Sequence, residues 1–455
     1  MDTKQLRQKI LDLAIRGKLV PQDPNDEPAS VLLERVKAEK ERLIAEGKIK
    51  RSKKSAASSD KPHYANWDLP RGWEWVKLSD LASFGGGKTP SMSDKSYWEN
   101  GKHLWVTSKD MKSHRIRDSR MKISDEALSI MTQYKPGTIL IVTRSGILRH
   151  SLPIAILERD ATINQDLKAI SFYIQDLHPY IYYAIKAQES FILKEYHKDG
   201  TTVDSINFEK FSEILLPIPP KQEQIRIITT IEKLFGLIEE IDNNKKDLQE
   251  LTRHTKSIIL DMAISGKLVV QDPADKPAAD LLQRVNPNAV VSADTSHYQH
   301  MPQGWCVCKL EDIVEYEQPQ RYIVESTDYS DAYKMPVLTA GKSFVIGHTN
   351  ETAGVFNNVP VIIFDDFTTD SKYVDFPFKV KSSAMKILHV KHGVNIKYIY
   401  YFMSITRLVG KTHKRYWISE YSKLDIPLPP YNEQCRIVDA IERINNRIDD
   451  IAEAL

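Results

Sequence analysis

ILDLAIRGKLVPQDPNDEPASVLLERV, residues 10–36, returns 249 positions later as ILDMAISGKLVVQDPADKPAADLLQRV, residues 259–285, with 19 of 27 positions identical. A second stretch repeats at a different offset: PIPPKQEQIRIITTIEKLFGLIEEI (217–241) and PLPPYNEQCRIVDAIERINNRIDDI (427–451) lie 210 positions apart. A third, weaker pair sets Pro70, Gly72, Trp73, Lys77, Leu78 and Asp80 against Pro302, Gly304, Trp305, Lys309, Leu310 and Asp312, 232 positions on. The shrinking offset means that the segments between the repeats differ in length. The repeated unit is roughly two hundred residues, far beyond the 20 to 50 of a solenoid repeat, so it predicts a chain with an approximate two-fold axis. In the middle of the chain the PxPP segment runs directly into the GKLV segment. The other copies close and open the chain, so the split copy is complete only if the terminal helices lie end to end, which predicts N- and C-termini close in space.

The stretch from Lys221 to about Lys267 carries the helical period. Ile231, Ile238, Lys245, Thr252 and Ile259 form one heptad position and Leu234, Ile241, Leu248, Thr255 and Met262 the other, with seven of the ten apolar. At 1.5 Å per residue such a helix is on the order of 60–70 Å long. The terminal copy keeps the phase through Ile441, Ile444, Ile448, Ile451 and Leu455, then Leu6, Ile10 and Leu13. Facing stripes of this kind predict an antiparallel helix pair. Pro217, Pro219 and Pro220 set the helix entry, and Gly17 and Gly266 mark the other end. The QDP motifs and PAxxLL segments that follow read as a turn and a short helix. After Val36 the first copy runs on as a helix and then a Lys/Ser-rich linker, net +5 over residues 37–62, whereas the second copy has the uncharged NPNAVVSADTS.

Between the helical pieces lie two globular segments, about residues 64–216 and 298–426. Runs such as TILIVTRSGI, LPIAIL, VIIFDDF and MKILHV predict strands, and HPYIYYAIKAQESFILKEY and NIKYIYYFMSITRLVG predict helices. The expected class is α+β: two mixed-sheet domains on a frame of long antiparallel, coiled-coil helices. The domains run 1–62 (helix, GKLV segment, basic linker), 63–216 (first globular domain), 217–297 (central helix and GKLV segment), 298–426 (second globular domain) and 427–455 (closing helix, completed by residues 1–20). Beyond the entry motif the two globular segments share little sequence.

Net charge is only +2, but its distribution is uneven. Residues 231–250 and 432–455 each hold three Lys/Arg against six Asp/Glu; residues 102–122 hold seven against two, and residues 370–423 eleven against three. Acidic helices therefore carry two basic segments, one per copy, which suits a polyanion held at two places. Three cysteines, Cys306, Cys308 and Cys435, cannot build a disulfide framework and fit a reducing cytoplasm. The CxC has no second ligand pair, so packing is preferred to metal binding. No apolar run reaches the 18 residues of a membrane span, and MDTKQLRQKI lacks the apolar core of a signal peptide.

A symmetric helical frame with two dissimilar basic domains resembles the DNA-specificity subunit of type I restriction-modification systems. The resemblance rests on GWxWxKLxDL at 72–81, the GGxTPS…YW…WVTSKD run from Gly86 to Asp110, and RSG at 144–146. It continues through ATINQDLKAI at 161–170, GTTVDSINFEKFSEI at 200–214 and the PxPPxxEQ and GKLV repeats. It implies two target recognition domains, each reading one half of a bipartite asymmetric site in double-stranded DNA. It further implies that the frame sets the spacer and docks two methyltransferase subunits, which two restriction subunits join in the full complex. S-adenosylmethionine, ATP and Mg would belong to those partners, leaving this chain without catalytic residues, cofactor or metal. One departure stands out: the first GKLV segment precedes the first recognition domain, whereas many members place both after it.

DNA affinity comes largely from cations on phosphates, and sequence is read at base edges. Polar residues in loops beside predicted strands are therefore the candidates. In the first domain these are Lys88, Thr89, Thr107, Ser108, Lys109 and Arg144, with Ser145, Asn164, Gln165, Thr201 and Thr202. In the second they are Thr339, Lys342, Thr368, Lys372 and Lys379, with Lys381, Ser382, Lys414 and Arg415. Two other classes compete. A stand-alone methyltransferase would need an (N/D)PP(Y/F) segment and a Gly-rich cofactor loop, and neither is present. GGGKT at 85–89 is no phosphate loop, because the required first glycine is Ala82. A nuclease reading of Asp365 and Asp366 lacks a following Glu-x-Lys. The third class, a coiled-coil scaffold without a DNA role, accounts for the heptads but not for the basic domains.

Overall fold

The computed structural model describes residues 2–49, 67–200, 203–292, 301–341, 343–408 and 415–453. The chain divides into two compact units, Met1–Asn243 and Asn244–Leu455. A 44-residue helix, Lys221–Ile264, begins in the first and continues into the second.

Each unit contains its own antiparallel helix pair. In the first, Thr3–Ile15 runs against the opening half of the long helix, with Arg7 paired to Asp242 at 3.0 Å and, further along, Arg226 to Asp26 at 2.5 Å. In the second, Tyr431–Glu453 runs against the closing half, with Lys256 on Asp449 at 2.6 Å and Arg436 on Asp275 at 2.7 Å. Ile231, Ile238 and Ile259 of the first heptad position are buried. The second position is different: Ile241 and Met262 are 41% and 38% exposed. A straight helix drifts about 20° per heptad against a 3.5-residue repeat, so both positions cannot face one partner along the whole length.

The repeated motifs fold into one recurring lock. Glu223 accepts from Trp73 Nε1 at 2.9 Å and from Gln22 Nε2 at 3.1 Å. Glu433 accepts from Trp305 Nε1 and Gln271 Nε2, both at 3.0 Å. The same glutamines donate to Gly17 O and Gly266 O, 2.6 and 2.8 Å away. These glycines end their helices at φ +63° and +68°, where an added Cβ would lie 2.4 Å from Pro70 and 2.2 Å from Pro302. Gln224 and Gln434 donate to Pro219 O and Pro429 O, and Tyr180 and Tyr398 to Pro217 O and Pro427 O. The GKLV, QDP, GW and PxPPxxEQ motifs are thus one hydrogen-bonded unit, complete in each half.

The entry strands close each globular domain onto this lock: Glu74–Lys77 pairs antiparallel with Leu215–Ile218, and Cys306–Lys309 with Asp425–Leu428. Cys306 and Cys308 are buried in that strand as free thiols, and desolvation pushes Cys306 up to about 11.

Inside the first domain a five-stranded sheet has the order Ala82–Gly86, Leu167–Phe172, Ile139–Val142, Ile154–Leu157, Arg115–Ile116. Beside it a three-stranded sheet has the order Met121–Ile123, His103–Val106, Ala161–Ile163, the last two parallel. The second domain repeats the plan: Val314–Glu317, Met385–Val390, Val361–Asp365, Ser371–Val374, and then Val345–Thr349, Met335–Leu338, Lys379–Val380, the last two again parallel. The globular segments, which look unalike as sequence, therefore share one strand order among the described residues, apart from the edge strand Arg115–Ile116, which has no counterpart in the second domain. Strand order depends on which apolar runs are buried together, and many sequences satisfy the same burial. Helices follow the sheets as expected, at His178–Ala187 and Ile396–Ile405. Among the described residues no helix is long and apolar enough to cross a membrane.

Candidate nucleic-acid interface

The parallel strand pair places loops from distant parts of each domain at one rim. In the first domain Lys88 N donates to Ile163 O and Asn164 N to Val106 O, both at 3.0 Å. Thr143 N donates to Asp166 O at 2.9 Å, and Ile206 N to Thr143 O at 2.9 Å. Arg144 bridges to Ser205, and Ser145 N donates to Asp204 O at 3.0 Å. This chain of backbone bonds gathers Lys88, Thr89, Thr107, Arg144, Ser145, Asn164 and Gln165. In the second domain Lys381 N donates to Leu338 O, Asp366 N to Ala384 O and Tyr416 N to Asp366 O, at 3.2, 3.0 and 2.9 Å. By this register Thr339 takes the place of Thr107, and Lys381 that of Asn164. Thr368 and Arg415 lie on the loops that join the same rim.

The roles within each rim differ. Lys88, Thr89, Lys109, Arg144 and Gln165 are exposed, and Thr107, Ser108 and Ser145 half-buried. Thr107 donates its hydroxyl and backbone N–H to Asp110 Oδ2 at 2.8 Å, which fixes the turn presenting Ser108 and Lys109. Asn164 is buried, and its amide donates to Asp166 at 3.0 Å; it shapes the turn that carries Gln165. In the second rim Thr368, Lys381, Ser382 and Arg415 are exposed and Thr339 is half-buried. Lys372 is half-buried within the strand Ser371–Val374. Lys379 is not a DNA contact: it is buried, with Nζ 2.7 Å from Glu351 and 2.6 Å from Ala353 O. Its ammonium is neutralised inside the domain because the strand register turns it inward. Thr201, Thr202, Lys342 and Lys414 lie outside the described residues.

Counting charges along the chain overstates the field. In residues 102–122, Arg115 and Arg117 pair with Glu158, Lys102 with Asp125 and Lys122 with Asp118. In residues 370–423, Lys386 pairs with Asp366, Lys397 with Glu442 and Arg407 with Asp370. Asp366 and Lys386 are both buried, and Asp366 Oδ1 accepts from Trp417 N at 2.8 Å. Asp366 thus anchors the chain after Arg415 and is paired with Lys386, whereas Asp365 Oδ1 accepts from Phe367 N and Thr368 N at 2.9 and 3.0 Å, so the two adjacent carboxylates have separate structural partners.

Two rim groups were not among the candidate DNA contacts. Arg149 is 62% exposed and donates to the buried Asp204 at 2.6 Å, which holds that carboxyl below its ordinary range. The arginine five places after Arg144 was the available signal. Asp365 lines a cavity of about 220 Å³ with Thr339, Lys381 and Ser382. The sequence marked it only as half of the Asp365/Asp366 pair, because its cavity neighbours Thr339, Lys381 and Ser382 come from other strands and loops. His197, Asp199 and Asp204 place possible ligand atoms within 4.8 Å of one another. Arg149 already occupies Asp204, so this group reads as an ion-paired turn.

Residues 70–253 and 302–455 match the family described as type I restriction modification DNA specificity domain. The specificity subunit of the EcoR124I/EcoR124II type I restriction enzyme of Escherichia coli is 50% identical over 126 residues, 26% of this chain and 31% of that protein. The Escherichia coli EcoEI specificity subunit is 28% identical over 383 residues, 68% of this chain and 62% of its own length. The chain thus spans less than two thirds of these relatives. A chain solved in work on assembly and conformational transition of the type I R-M system has the same fold, with TM-score 0.59 at 15% identity over 85% of this chain and 94% of that one.

Proposed function

This chain belongs to the type I restriction-modification DNA specificity family, and from that premise we propose that it is the non-catalytic DNA-reading subunit of such a complex. Each globular domain reads one half of a bipartite, asymmetric site in double-stranded DNA. The frame docks methyltransferase subunits, and restriction subunits complete the assembly. S-adenosylmethionine, ATP and Mg serve those partners. The observation that carries the reading is the shared rim: two domains that share a strand order gather exposed polar and cationic loops at the same edge and fill it with different residues. A common platform with variable chemistry suits two different half-sites.

The test is single-molecule sequencing of adenine methylation in DNA from cells making this chain with its cognate methyltransferase subunits. A bipartite motif with a constant gap, present only with this chain, is expected. Chain-independent methylation by an assembled complex would overturn the reading in favour of a scaffold.

Two further results are expected. Lys381→Ala removes one exposed rim cation. It should weaken DNA binding by the assembled complex about equally across sequences and lower the slope of log affinity against log salt by about one. An unchanged slope would place Lys381 off the phosphates. The long helix joins the two domains in sequence, so inserting one helical turn between Lys245 and Leu251, matched in Tyr431–Glu453, should change the gap between half-sites. A methylation motif with its gap unaltered would remove the helix from that role.

A further inference from the structure

We infer that Gln165 is the residue through which the first domain recognises an adenine, with Thr89 as the positioning residue that holds its amide ready; the inference rests on the DNA-reading role proposed above. Thr89 Oγ1 donates to Gln165 Oε1 at 2.5 Å, across 76 residues of sequence. Both ends of this bond are built on fixed backbone. On the Thr89 side, a Cβ at Gly87 would lie 2.0 Å from Ile163 O, so only glycine lets this loop press against the strand Ala161–Ile163. Lys88 N donates to Ile163 O at 3.0 Å and Trp105 Nε1 to Lys88 O at 3.1 Å, which pins the residue before Thr89 from two directions. On the other side, the buried Asn164 closes the turn around Gln165: Asp166 N donates to Asn164 Oδ1 at 3.2 Å and Asn164 Nδ2 to Asp166 Oδ2 at 3.0 Å. Gln165 itself is exposed at the rim.

The hydroxyl uses one lone pair of Gln165 Oε1 and leaves the amide a second lone pair and both Nε2 hydrogens for a further partner. An adjacent acceptor and donor in one plane match the major-groove edge of adenine, which offers the N6 donor beside the N7 acceptor. Guanine presents two acceptors there, cytosine a donor without the acceptor, and thymine an acceptor beside a methyl group, so each leaves part of the amide unmatched. Holding the amide before DNA arrives reduces the rotamer entropy lost on contact.

The experiment uses the chain assembled with its methyltransferase subunits. Once methylation sequencing has defined the half-sites, competition binding is measured with duplexes in which every base pair is replaced in turn. Gln165→Ala should lower the preference for one adenine of one half-site by roughly ten- to a hundred-fold. Gln165→Glu, now an acceptor only, should shift that same position toward cytosine. Thr89→Val keeps the shape without the hydroxyl. It should relax the same position by a smaller factor and add nothing in the Gln165→Ala background, a dependence that general loosening of the loop would not produce. Full affinity for the other half-site reports that each variant is folded and assembled. Wild-type preference in Gln165→Ala, relaxation at a base other than adenine, or a Thr89→Val effect at another position would overturn the assignment while leaving the DNA-reading role intact. A wild-type complex that recognises no bipartite site would remove both.

Discussion

Exchanging residues 298–426 for the corresponding segment of another family member is expected to replace one half of the recognised site completely and leave the other half unchanged. The basis is the way each domain is attached. The second is entered by Cys306–Lys309 and left by Asp425–Leu428, which pair with each other in register. Both chain crossings therefore lie at one short ribbon whose anchors, Trp305 and Pro427, belong to the lock. A foreign domain that ends in the same ribbon meets the same frame. One of the second domain's two apolar clusters, around Leu338, Phe356, Ile363 and Phe378, contains no frame residue; the other packs Ile362, Phe364, Leu388 and Tyr398 with Ile259, Ile264, Ile437 and Ile441 of the frame, so the exchanged segment must keep that apolar face. Methylation sequencing of the exchanged chain reads the outcome directly. A change in both half-sites, or in the gap alone, would show that the domains do not read DNA independently.

The second large effect is expected from the lock. Glu223→Ala leaves the buried Trp73 indole N–H without an acceptor and removes one partner of Gln22, at a cost on the order of 3 kcal/mol. For a unit of this size the melting temperature should fall by roughly 6–12 °C. Glu433→Ala should do the same to the second unit through Trp305 and Gln271. Glutamine is a poor substitute. Gln22 cannot turn its amide to offer oxygen without losing Gly17 O, so a Glu223→Gln amide nitrogen would face another amide nitrogen. The pH response separates this lock from ordinary packing. Desolvation raises the Glu223 carboxyl above its ordinary value near 4.5, against the two donors that lower it. The native state thus holds this proton more tightly than the unfolded chain, and the Glu223 contribution to stability falls as pH rises from the ordinary value through the raised one. Glu223→Gln should abolish that slope. Calorimetry across this range measures it, and a loss under about 1 kcal/mol in Glu223→Ala would mean that the frame does not depend on the lock.

The frame was legible in the sequence because its constraints are short and repeated. Gly17 and Gly266 sit where a helix must end in the left-handed region, and the PxPP prolines where one must begin. Their return in a second copy turns weak local signals into a strong one. The recognition domains were legible only as strands and helices. Ile139–Val142 and Val361–Asp365 were marked by their apolar runs, but nothing in those runs announces that they hold the same place in two sheets.

The candidate site divided in the same way. Residue type and loop position selected Lys88, Thr89, Arg144, Gln165, Lys381 and Arg415, all exposed at the rims. The same criteria selected Lys379 and Asn164, which the fold turns inward to Glu351 and Asp166. They also passed over Arg149 and Asp365. From its sequence alone this chain determined a duplicated helical frame, two α+β domains and the family to which they belong, because glycine, proline and heptad constraints act between near neighbours. Only the tertiary structure decided that the two domains share a strand order, and which polar side chains reach solvent. Those outcomes depend on strand pairs and ion pairs between residues far apart in the chain, and no local pattern specifies them.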